Sequence, residues 1–300
     1  MELLVRLAGR LVGTLTAPTG GSLSFAYDAT WLAEPRAFPV SVSLPLTSEV
    51  VEGGAAQTFF ANLLPEGRSR SLVCRRLGLS EDNDAALLAA IGGECAGALT
   101  IGEAPVQAGY EELDANALAT VVRAGGALAT QVGTHGMRLS LAGAQDKLPV
   151  RLDGERILLP VGDAPSTHIL KFPNRDFAHL PANELLTAHL AADLGLPVCE
   201  SSLLPTAAGP VLVVRRYDRV IEPGGVVRRL HQEDLCQALA LPAARKYERE
   251  GGPTFATCYA TVLRHSAEPA LDSRALLRWL AFNAVVGNAD GHAKNLALLR

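Results

Sequence analysis

The feature that most constrains this chain is a polar loop near its carboxyl end, Gly287-Asn-Ala-Asp-Gly-His-Ala-Lys-Asn295. A helical pattern precedes the loop (Leu276 to Val286), and an apolar strand-like run follows it (Leu296 to Leu299). An Asp and an Asn held five residues apart on such a loop are typical of phosphoryl transfer, in which the Asp accepts a hydroxyl proton and the Asn holds magnesium. On spacing alone a plain turn is an equal alternative, because Asn, Asp and Gly all tolerate turn conformations.

Composition and charge exclude several classes of protein. The 300 residues are 48% hydrophobic and 19% charged, so the chain can bury a sizeable core. The formal net charge is -4 and no block of Lys and Arg occurs, which argues against strong direct binding to nucleic acid. The five cysteines form no Cys-x-x-Cys pair, which argues against a zinc site and favours a reducing cytoplasm. We find neither a signal peptide nor a run of about 18 apolar residues that predicts a membrane span.

Hydrophobic periodicity predicts a strand-rich half followed by a helix-rich half, joined near residues 213–219. The predicted elements are a hairpin over 3–15, a strand over 23–32, a short helix over 58–67 stopped by Pro65, helices over 84–91 and 114–124, a hairpin over 148–161, a strand over 167–173, a helix over 183–194 and a strand over 211–216. Residues 102–110 are predicted to be a linker, and helical patterns dominate from about Gln232 onward. This α+β order is the layout of a two-lobed kinase.

A kinase also needs a cation that holds the phosphates of ATP, and Lys171 is the candidate. It lies in an apolar strand, where a lone Lys is costly to bury; an edge strand with this Lys facing water is the alternative. Glu184 opens the next helix and is a candidate ion-pair partner for Lys171. An acidic residue at that place also serves the helix dipole, which is the commoner use.

Two further segments are weak candidates when each is taken alone. The small-residue loop Ala142-Gly-Ala-Gln-Asp-Lys147 precedes a strand and is suited to bring backbone N–H groups near phosphate, although it is neither a Walker motif nor Gly-x-Gly-x-x-Gly. The segment Arg215-Arg-Tyr-Asp218 follows an apolar strand at the junction of the two halves, where hinge backbone would meet adenine. For this segment, a solvated turn with a local ion pair is the alternative.

Taken together, these segments resemble the HipA-type serine/threonine kinases, which are the toxins of bacterial toxin–antitoxin pairs. The motifs that carry the resemblance occur in one order along nearly the whole chain. They are Phe59-Phe-Ala-Asn-Leu-Leu-Pro-Glu-Gly67, Gly92-Gly-Glu-Cys-Ala-Gly97, Ser140-Leu-Ala-Gly-Ala-Gln-Asp-Lys147, Thr167-His-Ile-Leu-Lys-Phe-Pro173, Asn183-Glu184, Arg216-Tyr-Asp-Arg219, Gln232-Glu-Asp-Leu-Cys-Gln237, Lys246-Tyr-Glu248 with Gly251-Gly-Pro253, and Asn288-Ala-Asp-Gly-His-Ala-Lys-Asn295.

The resemblance implies an α+β, two-lobed, protein-kinase-like fold with an N-terminal α/β subdomain. The implied divisions are an N-terminal subdomain over 1–102, an ATP-binding N-lobe with a phosphorylation loop over 103–219, and part of a helical C-lobe with the catalytic loop over 220–300. The implied substrates are aminoacyl-tRNA synthetases, chiefly the glutamyl-tRNA synthetase. The implied partner is a HipB-like helix-turn-helix antitoxin, through which the kinase reaches DNA. We expect a cytoplasmic protein without membrane contact.

The resemblance also implies a role for each matching residue, with ATP and Mg2+ as cofactors. Asp290 is expected to be the catalytic base, Asn295 to bind magnesium, Glu184 to pair with Lys171, and Ser140 to be an autophosphorylated serine whose modification ejects its loop and switches the enzyme off. The residues expected to contact ATP are Ala142, Gly143, Ala144, Gln145, Asp146, Lys147, Lys171, Arg215, Arg216, Tyr217, His292, Ala293, Lys294 and Asn295.

One departure and two alternatives accompany this interpretation. In the family, a second magnesium ligand lies in a Tyr-Asp pair beyond the catalytic loop, whereas this sequence ends at Arg300, so we expect impaired transfer by the chain as it stands. Asp290-Gly-His-Ala-Lys-Asn295 also fits the Asp-x-His-x-x-Asn loop of phosphatidylinositol kinases, although the N-terminal motifs and the missing basic membrane patch argue against a lipid kinase. The other alternative is a pseudokinase, a module that binds an antitoxin and transfers nothing.

Overall fold

The structure is a computed structural model that describes residues 1–18, 21–124, 131, 137–140, 145–173, 177 and 179–300. The N-terminal part is built on a four-stranded antiparallel sheet in the order β3-β2-β1-β4. Its strands are β1 (Glu2–Leu7), β2 (Arg10–Thr16), β3 (Ser24–Tyr27) and β4 (Leu99–Gly102). Its helices are α1 (Ala29–Leu32), α2 (Gly54–Ala61), α3 (Gly67–Leu77) and α4 (Asp84–Ile91).

A second antiparallel sheet of six strands forms the middle of the chain, in the order β5-β7-β6-β8-β10-β9. Its strands are β5 (Gly109–Glu112), β6 (Lys147–Asp153), β7 (Arg156–Val161), β8 (His168–Lys171), β9 (Ser201–Leu204) and β10 (Val211–Arg215). The helices of this part are α5 (Ala115–Ala124) and α6 (Leu180–Asp193). Strand β8 lies between β6 and β10, so Lys171 at its end is on an interior strand rather than on an edge.

The carboxyl-terminal part begins with the two-stranded sheet of β11 (Arg219–Ile221) and β12 (Val227–Arg229). Then follow β13 (Gln232–Asp234), α7 (Leu235–Ala238), α8 (Phe255–His265), α9 (Pro269–Val285) and β14 (Ala297–Leu299), with 3-10 turns at Ala243–Arg245, Glu248–Glu250 and Ala293–Asn295. Strands β13 and β14 pair in antiparallel fashion, with Asp234 opposite Ala297, and this pairing fixes the end of the predicted catalytic loop. Among the helices that the structure describes, none is both long and apolar enough to span a membrane.

Several local predictions are confirmed. Hairpins form over the first strands and around Asp153-Gly154, and α4 has the predicted bounds. The helix predicted over 114–124 begins one residue later, because the Asp114 side chain accepts a hydrogen bond from the Ala117 N–H at 2.8 Å and caps it.

Two local predictions are wrong in part. The strand predicted over 23–32 ends at Tyr27, because Asp28 caps a helical turn by accepting a hydrogen bond from the Thr30 N–H at 2.8 Å. The helix predicted over 58–67 instead begins at Gly54 and ends at Ala61, and the following turn and Pro65 separate it from α3.

A single apolar core joins the first two parts of the molecule. It contains fully buried side chains of the N-terminal part, such as Phe25, Phe59 and Phe60, together with Leu148 and Leu170 of the six-stranded sheet. The N-terminal part therefore packs on the N-lobe as one continuous interior, which restricts its movement relative to the strands that carry the predicted ATP site.

Candidate active site

The predicted catalytic loop lies between α9 and β14, with its Asp exposed. The Asp290 N–H donates to the Asn288 side-chain oxygen at 3.0 Å, an arrangement that shapes the turn. The Asp290 side chain is 73% exposed, and its carboxylate accepts a hydrogen bond from the Tyr247 hydroxyl. His292 Nε2 lies 3.8 Å from the same carboxylate oxygen. Asp290 is thus an accessible acceptor that already binds a hydroxyl group.

Tyr247 and His292 pack together beside Asp290. Their ring centroids are 4.9 Å apart in an edge-on arrangement. The hydrogen bond to Asp290, with burial and the charge of Asp290, raises the pKa of Tyr247 to about 12, so its hydroxyl stays protonated and remains a donor. Burial, with the charge of Lys246, lowers the pKa of His292, which favours a neutral ring at neutral pH. Tyr247 belongs to a quoted motif, but the sequence alone assigned it no role.

Asn295 closes the loop through a reciprocal pair of hydrogen bonds with His292. Its side-chain oxygen accepts from the His292 N–H at 3.2 Å, and its own N–H donates to the His292 carbonyl at 2.9 Å. Ala293, between them, is buried against Leu235 and Cys236. The loop therefore has a defined shape in which the Asn295 amide is oriented by backbone.

The interior of the six-stranded sheet brings two lysines together. Lys171 of β8 forms an ion pair with Glu184 of α6, and its side chain is 22% exposed. Lys147 stands directly opposite Lys171 on β6, so both side chains lie on one face of the sheet. Burial, and then the charge of Lys171, lowers the pKa of Lys147 to about 8. An anion beside these lysines would relieve their mutual repulsion.

The loop ahead of β6 is described only in part. Ala142, Gly143 and Ala144, predicted to cradle ATP, lie outside the described residues. The Asp146 carbonyl accepts a hydrogen bond from the Phe172 N–H at 3.2 Å, which fixes the end of the loop beside Lys171. The Gln145 side-chain nitrogen is buried and has no hydrogen-bond partner within the part of the chain that the structure describes.

The predicted hinge residues are tied to the protein by backbone hydrogen bonds, and one of their side chains is buried. The Arg215 N–H donates to the Glu200 carbonyl at 2.8 Å, and the Arg216 N–H donates to the Thr167 carbonyl at 3.0 Å. The Arg216 side chain is buried, so the alternative of a solvated turn is wrong for this residue. Tyr217 is 52% exposed, and its hydroxyl donates to the Gln232 side chain.

A buried ionic cluster, here called the Glu94 cluster, joins this hinge to the N-terminal part. Glu94 lies within 3.0 Å of Arg216, 2.8 Å of Arg219 and 2.5 Å of Arg229, and Asp218 accepts from Arg216 at 2.6 Å. Burial alone raises the pKa of Glu94, but the charges of the three arginines outweigh burial and lower this pKa to about 2. Glu94 belongs to the motif Gly92-Gly-Glu-Cys-Ala-Gly97, but nothing in that motif identified the arginines that pair with it.

The predicted phosphorylation site is held in the interior. Ser140 is fully buried, its hydroxyl donates to the Leu63 carbonyl at 2.8 Å, and its N–H donates to the Glu94 carbonyl at 2.9 Å. Ser140 must therefore leave this position before any phosphate can be added to it.

Residues of the catalytic loop and the strand lysines influence one another through their charges. Besides Lys171, the charges of Glu66, Lys294 and Glu184 also act on the pKa of Lys147, so the catalytic loop and the strand lysines lie within electrostatic range of one another. Lys294 itself is almost fully buried, and its ammonium is bound by protein oxygens.

The two lobes, the exposed Asp on a loop between helix and strand, and the Lys–Glu pair define a kinase-like protein. Family models for the HipA N-terminal domain and the HipA-like C-terminal domain match residues 3–102 and 139–300. The chain belongs to the HipA family of kinases.

Similar proteins support this membership over nearly the whole chain. The kinase candidate Y4mE of Sinorhizobium fredii is 44% identical over 97% of this chain and 71% of its own length. The serine/threonine-protein kinase toxin HipA of Shewanella oneidensis is 29% identical over 98% of this chain and 70% of its own length. A solved complex of Shewanella oneidensis HipA, HipB and operator DNA matches with a TM-score of 0.82 and 29% identity, over 99% of this chain and 72% of the solved one.

Proposed function

We propose that this protein transfers the γ-phosphate of ATP to a serine or threonine hydroxyl of a protein, with Asp290 as the general base. The observation that carries the proposal is the exposed Asp290 carboxylate, which already accepts a hydrogen bond from the Tyr247 hydroxyl. A substrate hydroxyl that replaces Tyr247 would meet the same acceptor, as general-base catalysis requires.

The ATP phosphates are proposed to bind beside the two strand lysines. Lys171 and Lys147 present positive charge on one face of the sheet, and Glu184 orients Lys171. The buried side-chain nitrogen of Gln145 has no partner among the described residues and fits a donor to a ligand near these lysines. The rest of the cradle is assigned to Ala142 to Ala144 and the adenine contact to the backbone of Arg215 to Tyr217, on the family resemblance.

The residues of the catalytic loop fit magnesium by the chemistry of their donors. Magnesium prefers oxygen ligands and usually keeps waters and substrate phosphates in its shell. Asn295 offers an oriented amide oxygen on this loop. Within the described residues no group of three or more His, Cys, Asp or Glu side chains is assembled for a metal, so phosphate oxygens would supply much of the shell. When bound, the ion neutralises charge on the transferring phosphoryl group.

Substitution of Asp290 by Asn tests the proposal in a form of the protein that also carries the family's second magnesium ligand. Transfer of radiolabelled phosphate to protein should fall by about 10²-fold or more, because a general base contributes at least that much. ATP affinity, measured by isothermal titration, should stay within about twofold. The substitution changes neither the strand lysines proposed to bind the phosphates nor the backbone groups assigned to adenine. The same form without the substitution, if it binds ATP and transfers nothing, would instead support the pseudokinase alternative.

Ser140 is proposed as the autophosphorylation site. Its burial against Leu63 implies that the loop must leave the site first, and a phosphate would add nearly two negative charges that oppose its return beside ATP. Phosphopeptide mapping after incubation with ATP should find phosphate on Ser140 and none in Ser140→Ala. Phosphate found elsewhere with Ser140 unmodified would contradict this assignment.

An aminoacyl-tRNA synthetase, chiefly the glutamyl-tRNA synthetase, is proposed as the cytoplasmic substrate, and a HipB-like antitoxin as the partner. The solved complex that resembles this chain contains HipA, HipB and operator DNA, which supports such a partner. The net charge of -4 fits contact with DNA through that partner rather than directly. Transfer to purified glutamyl-tRNA synthetase, compared with transfer by Asp290→Asn, tests the substrate.

A further inference from the structure

Lys294 extends from the catalytic loop into the N-terminal subdomain. Its side chain is only 4% exposed, and its ammonium donates to the Asn62 side-chain oxygen at 2.7 Å and the Asn62 carbonyl at 3.1 Å. Asp234 accepts from it at 3.0 Å, and Glu66 lies at 3.6 Å. These oxygens account for the donors of the ammonium group.

Glu66 reaches the catalytic loop by a second route. Its carboxylate accepts a hydrogen bond from the Lys246 ammonium at 2.8 Å, and the Lys246 carbonyl accepts from the Ala293 N–H at 3.2 Å. Two successive loop residues, Ala293 and Lys294, are therefore held through contacts that involve Glu66.

The segment that provides these contacts is itself firmly held. Asn62 is 2% exposed, and its amide donates to the Thr58 carbonyl of α2 at 2.9 Å and to the Leu241 carbonyl at 3.0 Å. The two lysines balance the carboxylates of Glu66 and Asp234, so the group is neutral as a whole. Although burial raises the pKa of Glu66, the charges of Lys294 and Lys246 hold it below its usual range, which keeps this carboxylate ionised.

We propose that the segment from Asn62 to Glu66 is a positioning element for the catalytic loop, and that Lys294 anchors the loop to it rather than binding ATP. Asp290 lies on the same short loop, so a shift at Lys294 would displace the base. The N-terminal subdomain would thus contribute to turnover although it carries none of the proposed nucleotide contacts. The importance for turnover rests on the proposed function; the anchoring itself does not.

Hydrogen–deuterium exchange of the full chain tests the anchoring without any assay of activity. Glu66→Gln and Lys294→Met should each increase exchange over residues 288–296 by about tenfold, the equivalent of losing one charge-assisted hydrogen bond. Arg70→Met is the matched control, because it breaks the ion pair of Arg70 with Asp84 in the same subdomain without a contact to the loop. It should leave exchange over 288–296 unchanged.

Kinetics then separate positioning from nucleotide binding. Glu66→Gln should lower kcat by about tenfold or more with little change in KM for ATP, because misplacing a reacting group by a fraction of an ångström is costly. Glu66→Asp, which keeps the charge, should recover part of the loss. ATP titration of Lys294→Met should match wild type.

The possible results are distinct. Unchanged exchange over the loop in both Glu66→Gln and Lys294→Met would overturn the proposal, and so would a large loss of ATP affinity in Lys294→Met without faster exchange. Absence of transfer by a form that carries the family's second magnesium ligand would remove the proposed function, yet the exchange results on this chain would still decide whether the segment holds the loop.

Discussion

The Glu94 cluster and the catalytic loop both contain carboxylates near cationic side chains. The two regions differ in how far these carboxylates are buried and in what they bind. In the cluster, Glu94 and Asp218 are buried and surrounded by arginines. In the loop, Asp290 is 73% exposed, and its strongest contact is a neutral tyrosine hydroxyl. The comparison teaches that buried charges paired with opposite charges hold the framework here, whereas the acid available for chemistry is accessible and has an exchangeable partner.

Substitution of Glu94 by Gln should have the largest effect on stability. It leaves three buried arginines with too little opposing charge, and breaking a buried ion pair costs about 3–5 kcal/mol. Urea unfolding should show this loss in the free energy of unfolding. If Glu94→Gln unfolded at the same urea concentration as wild type, the cluster would not be what stabilises the framework. The proposed difference between buried Glu94 and exposed Asp290 would then be contradicted.

The same carboxylate predicts a dependence of stability on pH. The pKa of Glu94 is about 2 in the folded protein and near 4.5 when unfolded, so the folded state is stabilised fully above pH 4.5. This contribution is lost as the pH falls from about 4.5 toward 2. The decline in unfolding free energy over this range should therefore be less steep in Glu94→Gln than in wild type.

Lys171→Ala should have an intermediate effect, which falls mainly on ligand binding. Loss of an interaction with a charged group lowers affinity by roughly tenfold or more, and isothermal titration with ATP and magnesium measures it. The unfolding free energy should change by about 1 kcal/mol or less, because the ion pair with Glu184 is partly exposed to solvent. Unchanged ATP affinity would return Lys171 to the status of an ordinary strand lysine.

Arg228→Ala should have the smallest effect. Arg228 pairs with Glu222 at 2.8 Å, but both side chains are about half exposed, so the pair contributes roughly 0–1 kcal/mol. Thermal and urea unfolding should be close to those of wild type, and ATP affinity should not change. A loss as large as that of Glu94→Gln would mean that burial does not explain the difference between the two regions.

Local features of this fold could be predicted from the sequence because local residues determine them. The Asp153-Gly154 turn, the Asp114 cap and the loop around Asp290 all depend on neighbouring residues, and the structure has them where the patterns indicated. The family motifs, which occur along nearly the whole chain, added the prediction of a two-lobed α+β fold. The match to a solved structure confirms that fold.

Contacts between distant parts of the chain could not be predicted in this way. Lys294 and Asn62 are 232 residues apart, and Arg216 and Glu94 are 122 residues apart. Periodicity and capping describe residues a few positions apart, and no pattern of this kind selects a partner at such a separation. For the same reason, no sequence pattern connected Tyr247 to Asp290, which lies 43 residues further on.

The Glu94 cluster has a consequence for how the chain is made. A ribosome releases the N-terminal subdomain first, with Glu94 already in place after α4, while Arg216 follows 122 residues later. Until the arginines emerge, a carboxylate destined for the interior has no cation to balance it and must stay hydrated or take up a proton. The Glu94 cluster, which links the first subdomain to the hinge, can therefore form only late in synthesis, after the hinge has been translated.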